Sequence, residues 1–269
     1  MRIAGRTAVV TGAASGIGRG IALALAKRGC NLALADLDET GLAETAAMAA
    51  GVRVTTHRLD VADREAVAAF PAVVTAQHGG AQLLFNNAGV ACGGTFEQVS
   101  EADFEWLMNI NFYGVVRMTR AFLPLLRAAD EARIVNISSI FGIIAPPGQT
   151  AYSASKFAVR AFSESLRREL EAEGSNVGVT VVHPGGVATS IAKSARPPAG
   201  VNSADLEAQK ERFDKFLRMP PEQAGETIVA GAEAGRARVI VGNDARFMAL
   251  LERLAPISYW KILERRLKQ

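Results

Sequence analysis

The stretch that decides the fold is Thr11-Gly12-Ala13-Ala14-Ser15-Gly16-Ile17-Gly18. It follows a short apolar run and precedes a helical pattern with a period near 3.6. The first glycine permits a tight turn, the second lets the backbone approach a pyrophosphate, and the third permits close packing of the helix. Amide groups and the helix dipole then face the anion. The segment predicts a dinucleotide phosphate site at Gly12, Ser15, Gly16, Ile17 and Gly18.

Beyond this turn, short runs rich in Val, Leu and Ile alternate with helical patterns. Their nearly continuous hydrophobicity is typical of strands buried on both faces of a parallel sheet. The alternation predicts an α/β fold: a doubly wound, Rossmann-type parallel sheet of about seven strands, flanked by helices on both faces. The predicted strands are residues 7–10, 31–35, 52–58, 83–86, 134–137, 177–183 and 239–241.

Local signals indicate where three helices begin, end or bend. Ser100, followed by acidic residues, predicts a helix start, and Gly174 predicts the end of the long helix that begins near Ala151. Pro71 predicts a kink or a shortening of the helix that follows Asp63.

Length and composition favour one cytoplasmic domain over residues 1–269. Of these residues 49% are hydrophobic and 21% are charged, enough for a large core. We find neither a secretory signal nor an apolar stretch of about 18 residues, the length that a membrane span needs. Two cysteines are too few for a disulfide framework, and we find no metal-ligand spacing. The net charge of +3 is small but concentrated in a basic tail, which is expected to form a solvated helix face rather than to bind nucleic acid.

Two segments depart from the alternation. Residues 189–219 form an insert after a strand, and residues 246–269 form a tail that mixes apolar and basic side chains. The tail could pack on its own subunit, cover a neighbouring subunit's pocket or rest on a membrane surface. Pro256 interrupts a single amphipathic helix, so packing on protein is favoured over membrane contact.

Asp36 ends the second predicted strand, 18 residues beyond Gly18. A carboxylate near this distance accepts hydrogen bonds from the adenosine ribose hydroxyls and repels a 2′-phosphate. The residues after it, Leu37-Asp38-Glu39, include no cation. The pattern predicts NAD rather than NADP as the cofactor. Alternatively, Asp36 caps the following helix, a task that Asp38 or Thr40 could perform instead.

Tyr152 and Lys156 are four residues apart at the start of a helix and therefore share a face. A free tyrosine has a pKa near 10 and is a poor base at neutral pH. A neighbouring ammonium group favours the phenolate. The pair is a candidate for proton transfer.

Together with further motifs, these residues make the chain resemble the short-chain dehydrogenase/reductase family, in its compact single-domain branch. The resemblance covers about residues 5–245. It rests on motifs that agree in order and spacing: Thr11-Gly12 to Gly18, Asp60-Val61, Asn86-Asn87-Ala88-Gly89, Asn111, Ser138-Ser139, Tyr152 with Lys156, and Pro184-Gly185.

The resemblance implies a catalytic set. Ser139, thirteen residues before Tyr152, is expected to orient the substrate oxygen, and Ser138 is the less favoured choice. Tyr152 acts as the general acid or base, while Lys156 lowers its pKa and binds the nicotinamide ribose. Asn111 holds a water that relays protons.

The resemblance also implies contacts with the rest of the cofactor. Asp60 and Val61 are expected near the adenine, and the turn after the fourth strand supports the cofactor backbone. Thr189 is expected at the carboxamide. These further cofactor positions are Asn87, Ala88, Gly89, Pro184, Gly185, Val187 and Thr189.

The expected reaction is hydride transfer between NAD(H) and a secondary alcohol or ketone. Few charges lie in residues 140–146 and 90–92, which favours a lipophilic substrate. The resemblance implies a substrate lid in residues 189–219 and a homodimer or homotetramer formed through the helices that carry Asn111 and Tyr152. We interpret His183 as structural, because no partner motif accompanies it.

Two other functions compete with this expectation. A non-catalytic dinucleotide sensor could use the same fold, and a peripheral membrane protein could use the basic tail. A hydrolase is disfavoured because the chain has no Gly-x-Ser-x-Gly nucleophile elbow.

Overall fold

The computed structural model of the protein describes residues 1–191, 194–197 and 217–267. These residues form a seven-stranded sheet in the order β3-β2-β1-β4-β5-β6-β7, with every neighbouring pair parallel. The predicted fold is confirmed, and the strands begin or end within two residues of the predicted positions. The strands are β1 (Thr7–Thr11), β2 (Asn31–Asp36), β3 (Val54–Arg58), β4 (Leu83–Asn86), β5 (Ala132–Ile137), β6 (Val177–Pro184) and β7 (Arg238–Val241).

The helices cover both faces of the sheet. They are α1 (Gly16–Ala26), α2 (Glu39–Met48), α3 (Arg64–His78), α4 (Glu101–Met108), α5 (Gly114–Arg127), α6 (Thr150–Ala172), α7 (Pro221–Glu233), α8 (Asn243–Leu254) and α9 (Tyr259–Leu267). One apolar core includes side chains of α1, α2 and α7, and the other includes side chains of α3, α5 and α6. Within the described part of the chain, no helix has the length and apolarity to cross a membrane.

The predicted helix ends are confirmed at two positions. The Ser100 hydroxyl accepts a hydrogen bond from the Asp103 amide and caps α4, and Gly174 lies just beyond α6 with a φ of 65°. The predicted shortening at Pro71 does not occur, since α3 continues through the proline to His78. The Pro71 ring lies about two turns into α3, and the helix keeps its length because its inner face is buried in the core around Phe70.

Helices α1 and α7 pack with their backbones in contact. A Cβ atom added to Gly225 would lie 2.1 Å from the carbonyl carbon of Gly20, and one added to Gly20 would lie 2.2 Å from the Pro221 oxygen. Glycine is therefore required on both sides of the contact. Because α1 begins at the glycine turn, this contact also holds the predicted phosphate site in place.

The tail packs on its own chain. Leu263 of α9 is buried against Ile140, Ile143 and Ile144, and the backbone amide of Ala145 donates a hydrogen bond to the Tyr259 hydroxyl at 2.9 Å. This is the first of the three tail arrangements that the sequence leaves open. The opposite side of the tail exposes apolar side chains of α8 and the α8–α9 connection, among them Leu254 and Ile257.

The insert leaves and rejoins the fold at one point. The Ala188 amide donates to the Met219 carbonyl at 2.9 Å, and Val187 forms a β-bridge with Met219. Of the predicted lid, residues 189–219, only residues 189–191, 194–197 and 217–219 belong to the described part. The remainder of the lid prediction lies outside the described residues.

Replacing Gly225 by Ala should lower the free energy of unfolding. The new methyl group meets backbone atoms of α1, and overpacking of this kind costs about 1–3 kcal/mol. The measurement is urea unfolding beside Gln223→Ala, an exposed change on the same helix that is expected to stay within about 0.5 kcal/mol of wild type. Equal stability of the two variants would contradict the packing argument.

Candidate active site

The glycine turn has the geometry that its sequence predicts. Gly12 and Gly16 have φ values of 66° and 52°, in the left-handed region that favours glycine. A Cβ atom on Gly18 would lie 1.9 Å from the Gly12 carbonyl oxygen. The Ser15 side chain makes no capping hydrogen bond, so it leaves the amides at the start of α1 to another acceptor. The turn is therefore shaped to receive an anion.

One side chain ties this turn to the neighbouring strand β4. The Asn87 amide nitrogen donates to the carbonyl oxygens of Thr11 and Gly12, each at 3.0 Å. In return, the Thr11 hydroxyl accepts from the backbone amides of Asn87 at 3.0 Å and Ala88 at 3.1 Å. The sheet order reverses between β1 and β4. Ligands of open α/β sheets bind in the crevice at such a point.

Asp36 lies against the glycine turn. Its carboxylate accepts hydrogen bonds from the backbone amides of Ala14 at 3.0 Å and Asp38 at 3.1 Å. Asp38, and not Asp36, caps α2 by accepting from the Gly41 amide at 3.0 Å. The alternative that Asp36 serves only as the cap of α2 is therefore wrong.

The remaining predicted cofactor residues lie along the carboxyl edge of the sheet. The Asp60 carboxylate accepts from the Ala62 amide at 2.8 Å, and the Val61 side chain is buried. The Gly185 amide donates to the Val241 carbonyl at 2.9 Å, which holds the chain after Pro184 beside β7. Farther on, the Thr189 methyl group lies 3.0 Å from the Cβ position of Gly16. The structure thus brings the segment after β6 onto the glycine turn.

Ser139, Tyr152 and Lys156 come together at the end of β5. The Ser139 hydroxyl lies close enough to Tyr152 to lower the pKa of its phenol. The Lys156 ammonium lies 5.6 Å from the centroid of the Tyr152 ring and donates to the Ile137 carbonyl at 3.1 Å. Ser138 points elsewhere, because its hydroxyl donates to the Lys156 carbonyl at 2.8 Å. The geometry therefore favours Ser139 over Ser138 as the partner of the tyrosine.

The pKa of Tyr152 differs from the sequence expectation. Burial raises it to about 12, opposed by the hydrogen bond from Ser139, and Lys156 is not among the causes. Burial also lowers the pKa of Lys156 to about 8, so this group remains largely cationic at neutral pH. The net shift is upward because desolvation of the phenolate outweighs the stabilising effect of the Ser139 hydroxyl.

Asn111 is buried in a π-helical turn, Asn109–Tyr113, that separates α4 from α5. Its side chain accepts from the Val90 amide at 2.8 Å and donates to the Val90 carbonyl at 2.9 Å. These two bonds fix the chain just beyond the turn that follows β4. A Cβ atom on Gly89 would lie 3.2 Å from the Asn111 oxygen and 3.5 Å from the Lys156 nitrogen. Gly89 therefore lies between the two side chains.

Two side chains near Tyr152, Trp106 and Arg196, are not among the predicted site residues, whereas Phe141 lies in a predicted pocket segment. The Phe141 ring packs edge-on against the Tyr152 ring, with 6.1 Å between centroids. The described residues 194–197, here called the strap, cross beside Cys92, and Arg196 lies 3.5 Å from the centroid of the Trp106 ring. The Arg196 guanidinium also pairs with Asp103 at 2.6 Å. Periodicity gives no signal for such contacts between distant segments.

Comparison with known proteins agrees with the fold and the motifs. Residues 6–200 match the short chain dehydrogenase family. SadH of Mycobacterium tuberculosis, named as an oxidoreductase, is 45% identical over 262 residues, which cover 96% of this chain and 94% of the relative. The 3-oxoacyl-[acyl-carrier-protein] reductase FabG of Thermotoga maritima is 31% identical, covering 85% and 91% of the two chains.

A solved structure extends the agreement to three dimensions. The short chain dehydrogenase/reductase of Burkholderia phymatum, crystallised in complex with NAD, superposes with a TM-score of 0.86 at 31% identity, covering 94% of this chain and 95% of that one. The similarity includes the seven-stranded sheet and extends well beyond the residues of the glycine turn. This chain belongs to the short-chain dehydrogenase/reductase family and is an oxidoreductase of that family.

Proposed function

We propose that this protein transfers a hydride between NAD(H) and a secondary alcohol or ketone. The observation that carries the proposal is the grouping of Ser139, Tyr152 and Lys156, with the Lys156 ammonium 5.6 Å from the centroid of the Tyr152 ring, at the sheet edge that bears the glycine turn. When bound, the nicotinamide supplies the hydride chemistry, and the protein supplies placement and electrostatics. The ketone substrate that the name of the Thermotoga relative indicates agrees with this reaction class.

The glycine turn and Asp36 fit the phosphates and the adenosine ribose of NAD. Gly12, Gly16 and Gly18 leave no side chain between the backbone and the pyrophosphate. Asp36 stands beside the turn with acceptor capacity for ribose hydroxyls and a charge that repels a 2′-phosphate. Arg19, the nearest cation on α1, binds Glu44 at 2.7 Å and the Ala14 carbonyl at 2.6 Å, so its charge is already paired.

Tyr152 exchanges the proton of the substrate oxygen in this proposal. In the reduction direction a protonated phenol is the required form, and its raised pKa keeps it so. In the oxidation direction Ser139 orients the alcohol while the Lys156 charge favours loss of the phenol proton. A positive nicotinamide ring beside Tyr152 would favour the phenolate further. Asn111 then holds the relay water near Lys156, with its side chain anchored on Val90.

The substrate that we propose is lipophilic. Ile140, Ile143 and Ile144 lie next to Ser139 and form an apolar cluster with the tail. Cys92 and Leu107 form a second apolar cluster, against which the Tyr152 ring packs. An aliphatic or alicyclic alcohol could therefore approach Tyr152 without desolvating a charged side chain.

We further propose a cytoplasmic, single-domain homodimer or homotetramer, with residues 189–219 as the substrate lid. Tyr113 is exposed in the π-helical turn beside α5, and Phe157 is exposed on α6, where a second copy could cover them. Both cysteines are buried free thiols, which suits a reducing compartment.

Tyr152→Phe should abolish most oxidation of secondary alcohols by NAD. It removes the proton-transferring oxygen, and general acid–base catalysis contributes about 10²–10⁴-fold. NADH formation with a panel of lipophilic secondary alcohols is the measurement, and Tyr113→Phe, which changes an exposed phenol, is the matched control. Turnover of Tyr152→Phe at the wild-type rate would contradict the mechanism. NAD binding by the wild type without any turnover would favour the alternative function, a non-catalytic dinucleotide sensor.

Asp36→Ala should shift cofactor use toward NADP. Loss of charged hydrogen bonds to the ribose is expected to lower kcat/KM with NAD about 10–100-fold and to spare NADP. Asp38→Ala is the control, because it weakens the cap of α2 but should leave the cofactor preference unchanged. If the wild type already prefers NADP, the role given to Asp36 is wrong.

Lys156→Met should stabilise the fold while reducing activity. The Lys156 pKa falls from 10.5 to about 8 on folding, so protonated lysine destabilises the native state. At neutral pH the variant should gain about 1–3 kcal/mol in free energy of unfolding. The gain is full below pH 8 and disappears as pH rises toward 10.5, where both states lose the proton. Unfolding titrations at several pH values test this, and a gain that does not depend on pH would refute it.

A further inference from the structure

His183 is a buried titratable group next to the active site that the proposed reaction does not use. It is the penultimate residue of β6 and is 0% exposed. Side chains alternate along a strand, so His183 shares its face of the sheet with Val179 and Val177, which lie in the core that packs against α6. The imidazole therefore lies beneath the helix that carries Tyr152 and Lys156.

A hydrogen bond fixes the tautomer of this imidazole. Its Nδ1 atom lies 2.9 Å from the Ser139 carbonyl oxygen. A carbonyl only accepts hydrogen bonds, so Nδ1 must carry a proton. Burial lowers the pKa of His183 to about 4, and Arg238 and Arg160 also lower it, although the hydrogen bond to the Ser139 carbonyl and the nearby Glu164 raise it. The side chain is therefore neutral at physiological pH, with the proton on Nδ1.

The Ser139 carbonyl connects the imidazole to the reacting groups. This oxygen accepts a second hydrogen bond, at 2.9 Å, from the Gly142 amide of the short 3₁₀ turn Ile140–Gly142. The same turn directs the Phe141 amide to the Ser139 hydroxyl, at 3.1 Å. That hydroxyl lies beside the Tyr152 phenol and lowers its pKa. Both ends of Ser139 are thus held, its carbonyl by His183 and its hydroxyl by the turn.

We propose that His183 is a positioning residue: by donating from Nδ1 to the Ser139 carbonyl, it sets the orientation of the Ser139 hydroxyl toward Tyr152 and the substrate oxygen. The inference rests on the proposed function. A group that orients a substrate oxygen must be held to within a fraction of an ångström, and a misplacement of about 1 Å can cost about 100-fold in rate. His183 touches neither substrate nor cofactor in this role, so its effect passes through Ser139.

Replacement of His183 by leucine or asparagine tests the role of the Nδ1 donor. His183→Leu keeps the volume but removes the donor, and kcat for alcohol oxidation should fall about 10–100-fold with little change in KM for NAD. His183→Asn places its amide nitrogen near the position of Nδ1 and should recover most of the kcat. His183→Gln places its amide nearer the position of Nε2 and should not. A wild-type kcat in His183→Leu, or equal values in the Asn and Gln variants, would overturn the proposal.

A control separates positioning from stability. Val181→Ala removes packing two residues earlier on the same face of β6, where Val181 is buried, and should lower Tm without lowering kcat. If kcat falls in proportion to Tm in Val181→Ala, as it does in His183→Leu, then His183 is a structural residue and not a positioning residue. Failure of the proposed function looks different from failure of the His183 inference. If the proposed function is wrong, the wild type transfers no hydride with any alcohol. If only the His183 inference is wrong, the wild type is active and Tyr152→Phe is inactive.

Discussion

The side-chain amide of Asn87 donates to two backbone carbonyls at the end of β1, and the candidate active site is built around this contact. This contact joins the end of β1 to the chain just after β4. The strand order reverses between these two strands, and the helices that follow them therefore lie on opposite faces of the sheet. The crevice between those helices is the place where open α/β sheets bind their ligands. The glycine turn, Asp36 and the segment after β6 all border that crevice, each held by backbone hydrogen bonds.

Burial has opposite consequences for the two ionisable groups that face each other there. The phenol of Tyr152 becomes harder to deprotonate, and the ammonium of Lys156 becomes easier to deprotonate. Both shifts have the same cause, since a low-dielectric surrounding disfavours either charged form. The site therefore buries two ionisable side chains within one helical turn. This arrangement destabilises the fold, and a binding function alone would not require it.

Features that depend on one element or one turn could be predicted from the sequence. Gly12, Gly16 and Gly18 fix a turn, and the four-residue spacing of Tyr152 and Lys156 fixes a shared face, whatever the rest of the chain does. The direction of the Tyr152 pKa could not be predicted, because it depends on how many segments bury the ring. The contact of Tyr259 with Ala145 joins residues 114 positions apart, and no local pattern encodes it. Likewise, the π-helical turn around Asn111 has no signature in periodicity.

The strap has a consequence for spectroscopy. The chain contains two tryptophans, and they pack in two different apolar clusters. Trp106 lies beneath the Arg196 guanidinium, so its emission depends on whether that cation stays stacked on the indole. Trp260 lies in α9 against the apolar cluster next to Ser139. Intrinsic fluorescence therefore has two contributions, one from Trp106 beside the strap and one from Trp260 in the apolar cluster of the tail. Neither contribution needs an added dye.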